Sequence, residues 1–130
     1  MIQDTSFIID LLRGDEGAEA LLGEIESESR PEKVASITVL ELYEGVVRSE
    51  TSTSKQDRII DVLESKHVVP ADNNVIRKAG KISGQLITEG RRIEREDCII
   101  AATGLLHDEA VVTRNADHFG RIDDLDIRTY

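Results

Sequence analysis

The sequence has one cysteine, no tryptophan and four aromatic side chains in all, Phe7, Phe119, Tyr43 and Tyr130. A lone Cys98 excludes an internal disulfide, which fits a reducing compartment and sets the expected location as the cytoplasm. With so few rings, the core has to be built from Ile, Leu, Val and Ala, which supply most of the 39% apolar content. No stretch approaches the roughly 18–20 apolar residues of a membrane span. Asp4 and Asp10 interrupt the first apolar run, so a secretory leader is not expected either. Positive charge is scarce as well: 16 Lys and Arg face 26 Asp and Glu, for a net charge of -10. Such a chain repels nucleic acid at long range, and composition by itself argues against a nucleic-acid enzyme. Two things soften that reading. Clustered carboxylates are what a hard divalent cation needs. The surplus at Glu19, Glu24, Glu26, Glu28, Glu64, Asp123 and Asp124 suits a solvated surface of the kind found in proteins adapted to high salt.

What is present is the pattern of one ordinary domain spanning residues 1–130. There is no internal repeat, and the one low-complexity patch, Glu50 to Lys55, is expected to be a polar loop. Short apolar runs alternate with helical spacing. Met1 and Ile2 lead as a brief strand into Asp4, and Ser6 to Leu12 starts a helix that Gly14 stops. Helical patterns follow at Gly17 to Ser27, Val39 to Arg48, around Ile59, Ile60 and Leu63, from Val75 to Leu86, and from Glu96 to Leu106. Strands are expected at Val34 to Ser36, at His67 to Val69 where Pro70 ends the run, at Ala110 to Thr113, and at Ile127. Alternation of this kind predicts an α/β/α sandwich with a central, mostly parallel sheet of four to five strands. In such folds the functional crevice lies at the carboxyl ends of the strands.

The residues at those ends form a pattern. Asp4-Thr5-Ser6 follows the first strand and Thr38-Val39-Leu40-Glu41 the second. Asp97 sits in the first turn of the helix before the fourth strand, and Thr113-Arg114-Asn115-Ala116-Asp117 follows that strand. Each has a purely structural explanation. Thr38-x-x-Glu41 spells a capping box, Asp97 near a helix start favours the macrodipole, and Asp4, Ser6 or Asn115 suits a helix cap. Together they point elsewhere: four acids converging on one crevice repel one another and raise one another's pKa, and a divalent cation removes the conflict. Mg²⁺ or Mn²⁺ takes oxygen ligands and retains waters, which leaves room for a phosphate.

The segments DTSFIIDLL, ITVLELYEG, REDCIIAATGL and TRNADHFGRI, in that order and over nearly the whole chain, resemble the four sequence blocks of the PIN-domain family. The branch they look most like is the VapC-like toxins, whose cognate partners are small DNA-binding antitoxins. The resemblance implies an α/β/α fold, Mg²⁺-dependent endonucleolytic hydrolysis of RNA, and a homodimer. It implies metal-site roles for Asp4, Glu41 and Asp97, with Thr5 or Ser6 as the hydroxyl beside the first acid and Asn115 as the polar residue after the fourth strand. Many relatives carry a further acid immediately before the Phe, where this chain has His118; Asp117 stands one residue earlier and is kept as a site candidate.

Cations that would let RNA approach gather at Arg77, Lys78, Lys81, Arg91, Arg92 and Arg95, with Arg13, Arg48 and Arg114 at the rim; Arg91, Arg92, Arg95 and Arg114 are the RNA-binding candidates. The competing expectation is that they pair with Glu89, Glu94 and Glu96. Three scattered His with no Cys or His partners make no zinc site. Cys98 reads as a small buried residue rather than a nucleophile. Gly104 and Gly120 have no phosphate-loop spacing. The rival assignments are a receiver-like or phosphatase-like domain and a module that binds metal without catalysis. A receiver needs adjacent acids after the first strand and a Lys after the last, and the common phosphatases need Asp-x-Asp where this chain has Ser6. The apolar side chains of the early helices (Leu21, Leu22, Ile25, Leu40, Tyr43, Val46, Val47) exceed what one helix face buries, so some of them are expected to line a groove for a partner helix, the alternative being that all belong to the core.

Overall fold

The computed structural model describes residues 1–48 and 52–130. Five strands, β1 (Ile2–Gln3), β2 (Lys33–Ala35), β3 (His67–Val69), β4 (Val111–Val112) and β5 (Ile127–Arg128), form one sheet in the order β3-β2-β1-β4-β5. Every pairing is parallel, with Ile2 opposite both Lys33 and Val111. Seven helices are described: α1 (Thr5–Leu12), α2 (Glu16–Ser27), α3 (Ser36–Arg48), α4 (Thr53–Glu64), α5 (Asn73–Thr88), α6 (Arg95–Leu106) and α7 (Ala116–Phe119).

The period of two along each strand sends neighbouring side chains to opposite helical layers. Ile2, Ala35, Val69 and Val111 pack with Val75, Ala79 and Leu86 of α5, with Cys98, Ile100, Ala101 and Ala102 of α6, and with Phe119. Met1 and Val112 pack on the other side with Phe7, Ala18, Leu21 and Ile25 of α1 and α2. Val34 joins Ile8, Leu42 and Leu63 of α1, α3 and α4 there. The result is the three-layer α/β/α arrangement expected from the alternation. Helix α6 is apolar nearly all round because it is enclosed by α5, α3 and the sheet. Its last turn comes so close to the following segment that a Cβ on Gly104 would lie 2.9 Å from the carbonyl oxygen of Glu109.

The chain moves outward from β1 through β2 to β3, then returns to the other side of β1 as β4 and β5. The strand order therefore reverses between β1 and β4, and the crevice outside their carboxyl ends is the topological switch point. Asp4 follows β1 there and Thr113 follows β4.

Three local expectations need correction. Helix α3 begins at Ser36 rather than Val39, so Thr38 is inside the helix and forms no capping box with Glu41; the Thr38 hydroxyl faces Thr5 instead. The anticipated polar loop falls partly outside the described residues, at Glu50 and Thr51, while Thr53 to Lys55 form the first turn of α4. There the carbonyl of the extended residue Ser52 accepts from the amides of Lys55 and Gln56. Of the surplus apolar residues, Leu21 and Ile25 are core and Leu22 packs against it. Leu40, Tyr43 and Val47 of α3 remain exposed, Val47 to 82%.

Candidate active site

Asp4 is the N-cap of α1, in extended conformation, and its Oδ1 accepts from the Thr5 amide at 2.8 Å. Its Oδ2 accepts from Ser6 Oγ and from Thr113 Oγ1, both at 2.7 Å. A buried carboxylate is tolerated when its lone pairs are filled, and here donors from α1 and from the end of β4 fill them. The same hydroxyls continue outward: Arg114 N donates to Ser6 Oγ at 3.3 Å, and Asn115 N donates to Thr113 Oγ1 at 2.9 Å. Capping, normally a stability device, thus fixes the position of a charged group at the switch point.

Glu41 comes from the second turn of α3. Its Oε1 accepts from Thr5 Oγ1 at 2.8 Å, and Thr5 Oγ1 also lies 3.0 Å from Thr38 Oγ1. Burial pushes the Glu41 carboxyl up to about 7; the Thr5 hydrogen bond opposes this, and the charges of Asp4, Asp97 and Glu96 add to it. Asp97, in the first turn of α6, is raised to about 6, again chiefly by burial and next by the charge of Asp4, with His118 opposing. Asp4, Glu41 and Asp97 are therefore brought together as a mutually repelling set. Glu41 Oε2 and Asp97 Oδ1 have no hydrogen-bond partner among the described residues. On its outer side Glu41 borders an open cleft of about 380 Å³ with Glu44, Gly45 and Arg48.

Asp117 is not brought to this set. Its side chain is 81% exposed and pairs with Arg121 Nη2 at 3.0 Å. One residue later the half-buried His118 faces inward, its Nδ1 lying 2.8 Å from Asn115 Nδ2 and 3.3 Å from Asp97 Oδ2. The two contacts compete, because Nδ1 either accepts from the amide or donates to the carboxylate. The side-chain partner of Asn115 is thus His118. The position before Phe119 is the signal in the sequence for this inward-facing side chain, and here it carries His118 where many relatives carry an acid.

Among the basic candidates, Arg92 and Arg95 are exposed and form no ion pair among the described residues, as are Arg77 and Lys81. Arg91 is 3.7 Å from Glu89, and Arg114 pairs with the buried Asp10 at 2.7 Å. Cys98 is buried, and burial pushes its thiol up, which fits the inert role expected of it.

The set offers hard carboxylate oxygens, with proton affinity elevated at Glu41 and Asp97, the chemistry that suits a hard divalent cation. No three His, Cys, Asp or Glu among the described residues close into a ligand cage. An ion held by one or two carboxylates and otherwise by water, as Mg²⁺ commonly is, needs no such cage. No helix among the described residues is long and apolar enough to cross a membrane.

Comparison with known proteins bears on family and fold. The family model for the PIN domain matches residues 1–125. Ribonuclease VapC1 of Methanocaldococcus jannaschii is 27% identical over 131 residues, covering all of this chain and 86% of its own length. The 2.2 Å structure of VapBC-1 from nontypeable Haemophilus influenzae superposes with a TM-score of 0.84 at 26% identity, over 98% of this chain and 96% of that one. VapBC2 from Rickettsia felis, bound to a DNA fragment from its promoter, superposes with a TM-score of 0.87 at 19% identity, over 99% of this chain and 97% of that one, and so speaks to the fold.

Proposed function

Because the chain belongs to the PIN-domain family, we propose that it is a divalent-metal-dependent endoribonuclease and the toxin member of a toxin–antitoxin pair. The observation that carries the reading is the set of Asp4, Glu41 and Asp97 at the switch point, where burial and mutual repulsion hold Glu41 at about 7 and Asp97 at about 6. Carboxylates in that state are poised to exchange protons for a cation.

We assign Asp4 and Asp97 as the residues that would hold the metal, with Mg²⁺ the expected ion and Mn²⁺ a substitute. When bound, such an ion polarises the phosphoryl oxygen and lowers the pKa of its water. The remaining work falls to the chain. Ser6 and Thr113 keep the Asp4 carboxylate in one orientation. Thr5 occupies Glu41 Oε1, which leaves Oε2 to orient the attacking water and take its proton. His118 Nδ1 lies between Asn115 and Asp97 and bonds one or the other according to its tautomer. Asp117 is assigned to the rim, where Arg121 holds it.

A partner fits the same reading. Leu40, Tyr43 and Val47 recur at i, i+3 and i+7 on the exposed side of α3, the spacing at which one helix offers a stripe to another. Glu41 lies on the same helix, so a small DNA-binding antitoxin seated on the stripe reaches the acid cluster, where a basic side chain would supply the missing counter-charge. A homodimer is part of the proposal, as is the domain assignment of residues 1–130 as one nuclease unit.

The test is cleavage of single-stranded RNA by the purified chain with Mg²⁺ or Mn²⁺, and its inhibition by a copurifying neighbour-encoded protein. Metal-stimulated endonucleolytic cleavage that the partner suppresses is the expected result. Metal binding with no cleavage of any RNA would favour the non-catalytic module.

A further inference from the structure

We propose that Arg114 anchors the RNA phosphate flanking the carboxylate cluster, and that the buried Asp10 and the half-buried Tyr130 form a brace that holds its guanidinium there. The inference rests on the nuclease reading above and adds the residues that let a polyanion sit beside an acidic site.

Asp10 lies on α1 four residues after Ser6, so the two share a helix face, roughly 6 Å apart along the axis. Its side chain is only 7% exposed, yet both oxygens are engaged: Oδ1 accepts from Arg114 Nη1 at 2.7 Å and Oδ2 from the Tyr130 hydroxyl at 2.5 Å. Tyr130 is itself fixed. Its ring stands edge-on to the fully buried Phe7 with centroids 5.5 Å apart, and it fills the space beside Gly17, where a Cβ would lie 3.4 Å from its Cδ2. Burial and the Asp10 carboxylate push the Tyr130 hydroxyl well above its ordinary pKa, so it stays a donor.

The other end of the arrangement faces outward. The Arg114 side chain is 56% exposed and only Nη1 is taken, so Nε and Nη2 have no partner among the described residues. A planar fork with one edge tied down and the other open is suited to a phosphate oxygen pair. Its location follows from the backbone: the Arg114 amide donates to Ser6 Oγ, which donates to Asp4 Oδ2, and Thr113 also donates to Asp4. Among the other cations, Lys33, Lys66, Arg121 and Arg128 pair with acids outside the cluster. In a chain of net charge -10, a fixed cation beside the site counters the repulsion that Asp4, Glu41 and Asp97 present to RNA.

A brace that only staples α1 to the end of β4 makes a different prediction from one that positions an anchor, and RNA binding separates them. Asp97→Asn is expected to leave RNA intact, so a fluorescein-labelled single-stranded oligoribonucleotide is titrated against that protein by anisotropy, from about 50 to about 200 mM KCl. Adding Arg114→Ala is expected to weaken binding about tenfold at the low-salt end and to reduce the slope of log K against log salt by about one. Arg114→Lys is expected to restore the slope but not the full affinity, since it keeps the charge and loses the fork. Asp10→Asn and Tyr130→Phe are each expected to weaken binding several-fold while Arg114 is still present. An unchanged slope in Arg114→Ala overturns the anchor. Unchanged affinity in Tyr130→Phe, which keeps the ring packing and folds whether or not Asp10→Asn does, overturns the brace. Failure of the nuclease reading appears separately, as absence of RNA cleavage by the unmodified chain.

Discussion

The hydroxyl of Thr5 donates to Glu41 Oε1 at 2.8 Å, tying the first turn of one helix to the second turn of another across the sheet edge. The bond favours the charged carboxylate and opposes the burial that drives Glu41 up to about 7. Thr5→Val keeps the shape and removes the donor. Cleavage that needs ionised Glu41 should then fall more at pH 7 than at pH 8.5, with the acid limb of the pH–rate profile displaced to higher pH. An undisplaced limb, with activity scaled equally at all pH values, would mean that Glu41 ionisation does not set the profile.

Without metal, the protein should be more stable in mild acid than above neutrality. Glu41 rises from an ordinary 4.5 to about 7 and Asp97 from 3.8 to about 6, so between those limits the folded state holds more protons than the unfolded one. Stability therefore increases as pH falls through 7 and 6, is fully gained below about 4 for these two groups, and is lost again as pH rises. Thermal unfolding in chelator from pH 5 to pH 8 reads this directly, and Glu41→Gln should flatten the slope.

Divalent metal should reverse that preference. An ion that binds only the folded state adds about 2.7 kcal/mol at a hundredfold excess over its dissociation constant. The melting temperature should rise with Mg²⁺ or Mn²⁺, and more at pH 8 than at pH 6 because protons compete for the same oxygens. Ionic strength is held constant, since screening alone stabilises an acidic surface. A rise that survives in Asp4→Asn would be screening rather than a site.

Much of the architecture could be read from residue order. The alternation of apolar runs with helical spacing was enough for a parallel sheet between two helical layers, and all five strands lie where β-branched runs or Ile127 indicated them. Helix starts were less accessible, because tertiary contacts override local caps: Thr38 has the capping-box spacing, but Thr5 engages both it and Glu41. Side-chain direction was the harder quantity. Spacing put Asp117 and His118 side by side, and only the geometry of α7 turns His118 towards Asp97 while Arg121 draws Asp117 outward. The Asp10–Tyr130 contact joins residues 120 positions apart and leaves no local signal at all. From this placement, Asp117→Asn should leave cleavage within a few-fold of the parent, whereas His118→Ala should reduce kcat by at least tenfold. The reverse order in single-turnover assays would return the fourth site position to Asp117.

The central claim is that Asp4, Glu41 and Asp97 form a metal-dependent RNA-cleaving centre. The most direct test compares the unmodified protein with Asp97→Asn on one end-labelled single-stranded RNA, with Mg²⁺ or Mn²⁺ and with chelator, after thermal unfolding has shown both proteins folded. Asp→Asn removes charge without changing shape and relieves repulsion in the metal-free protein, so the variant should be at least as stable as the parent. The account predicts internal cleavage by the unmodified protein that requires metal and falls by at least a hundredfold in Asp97→Asn. Equal cleavage by the two proteins, or cleavage that continues in chelator, would contradict it.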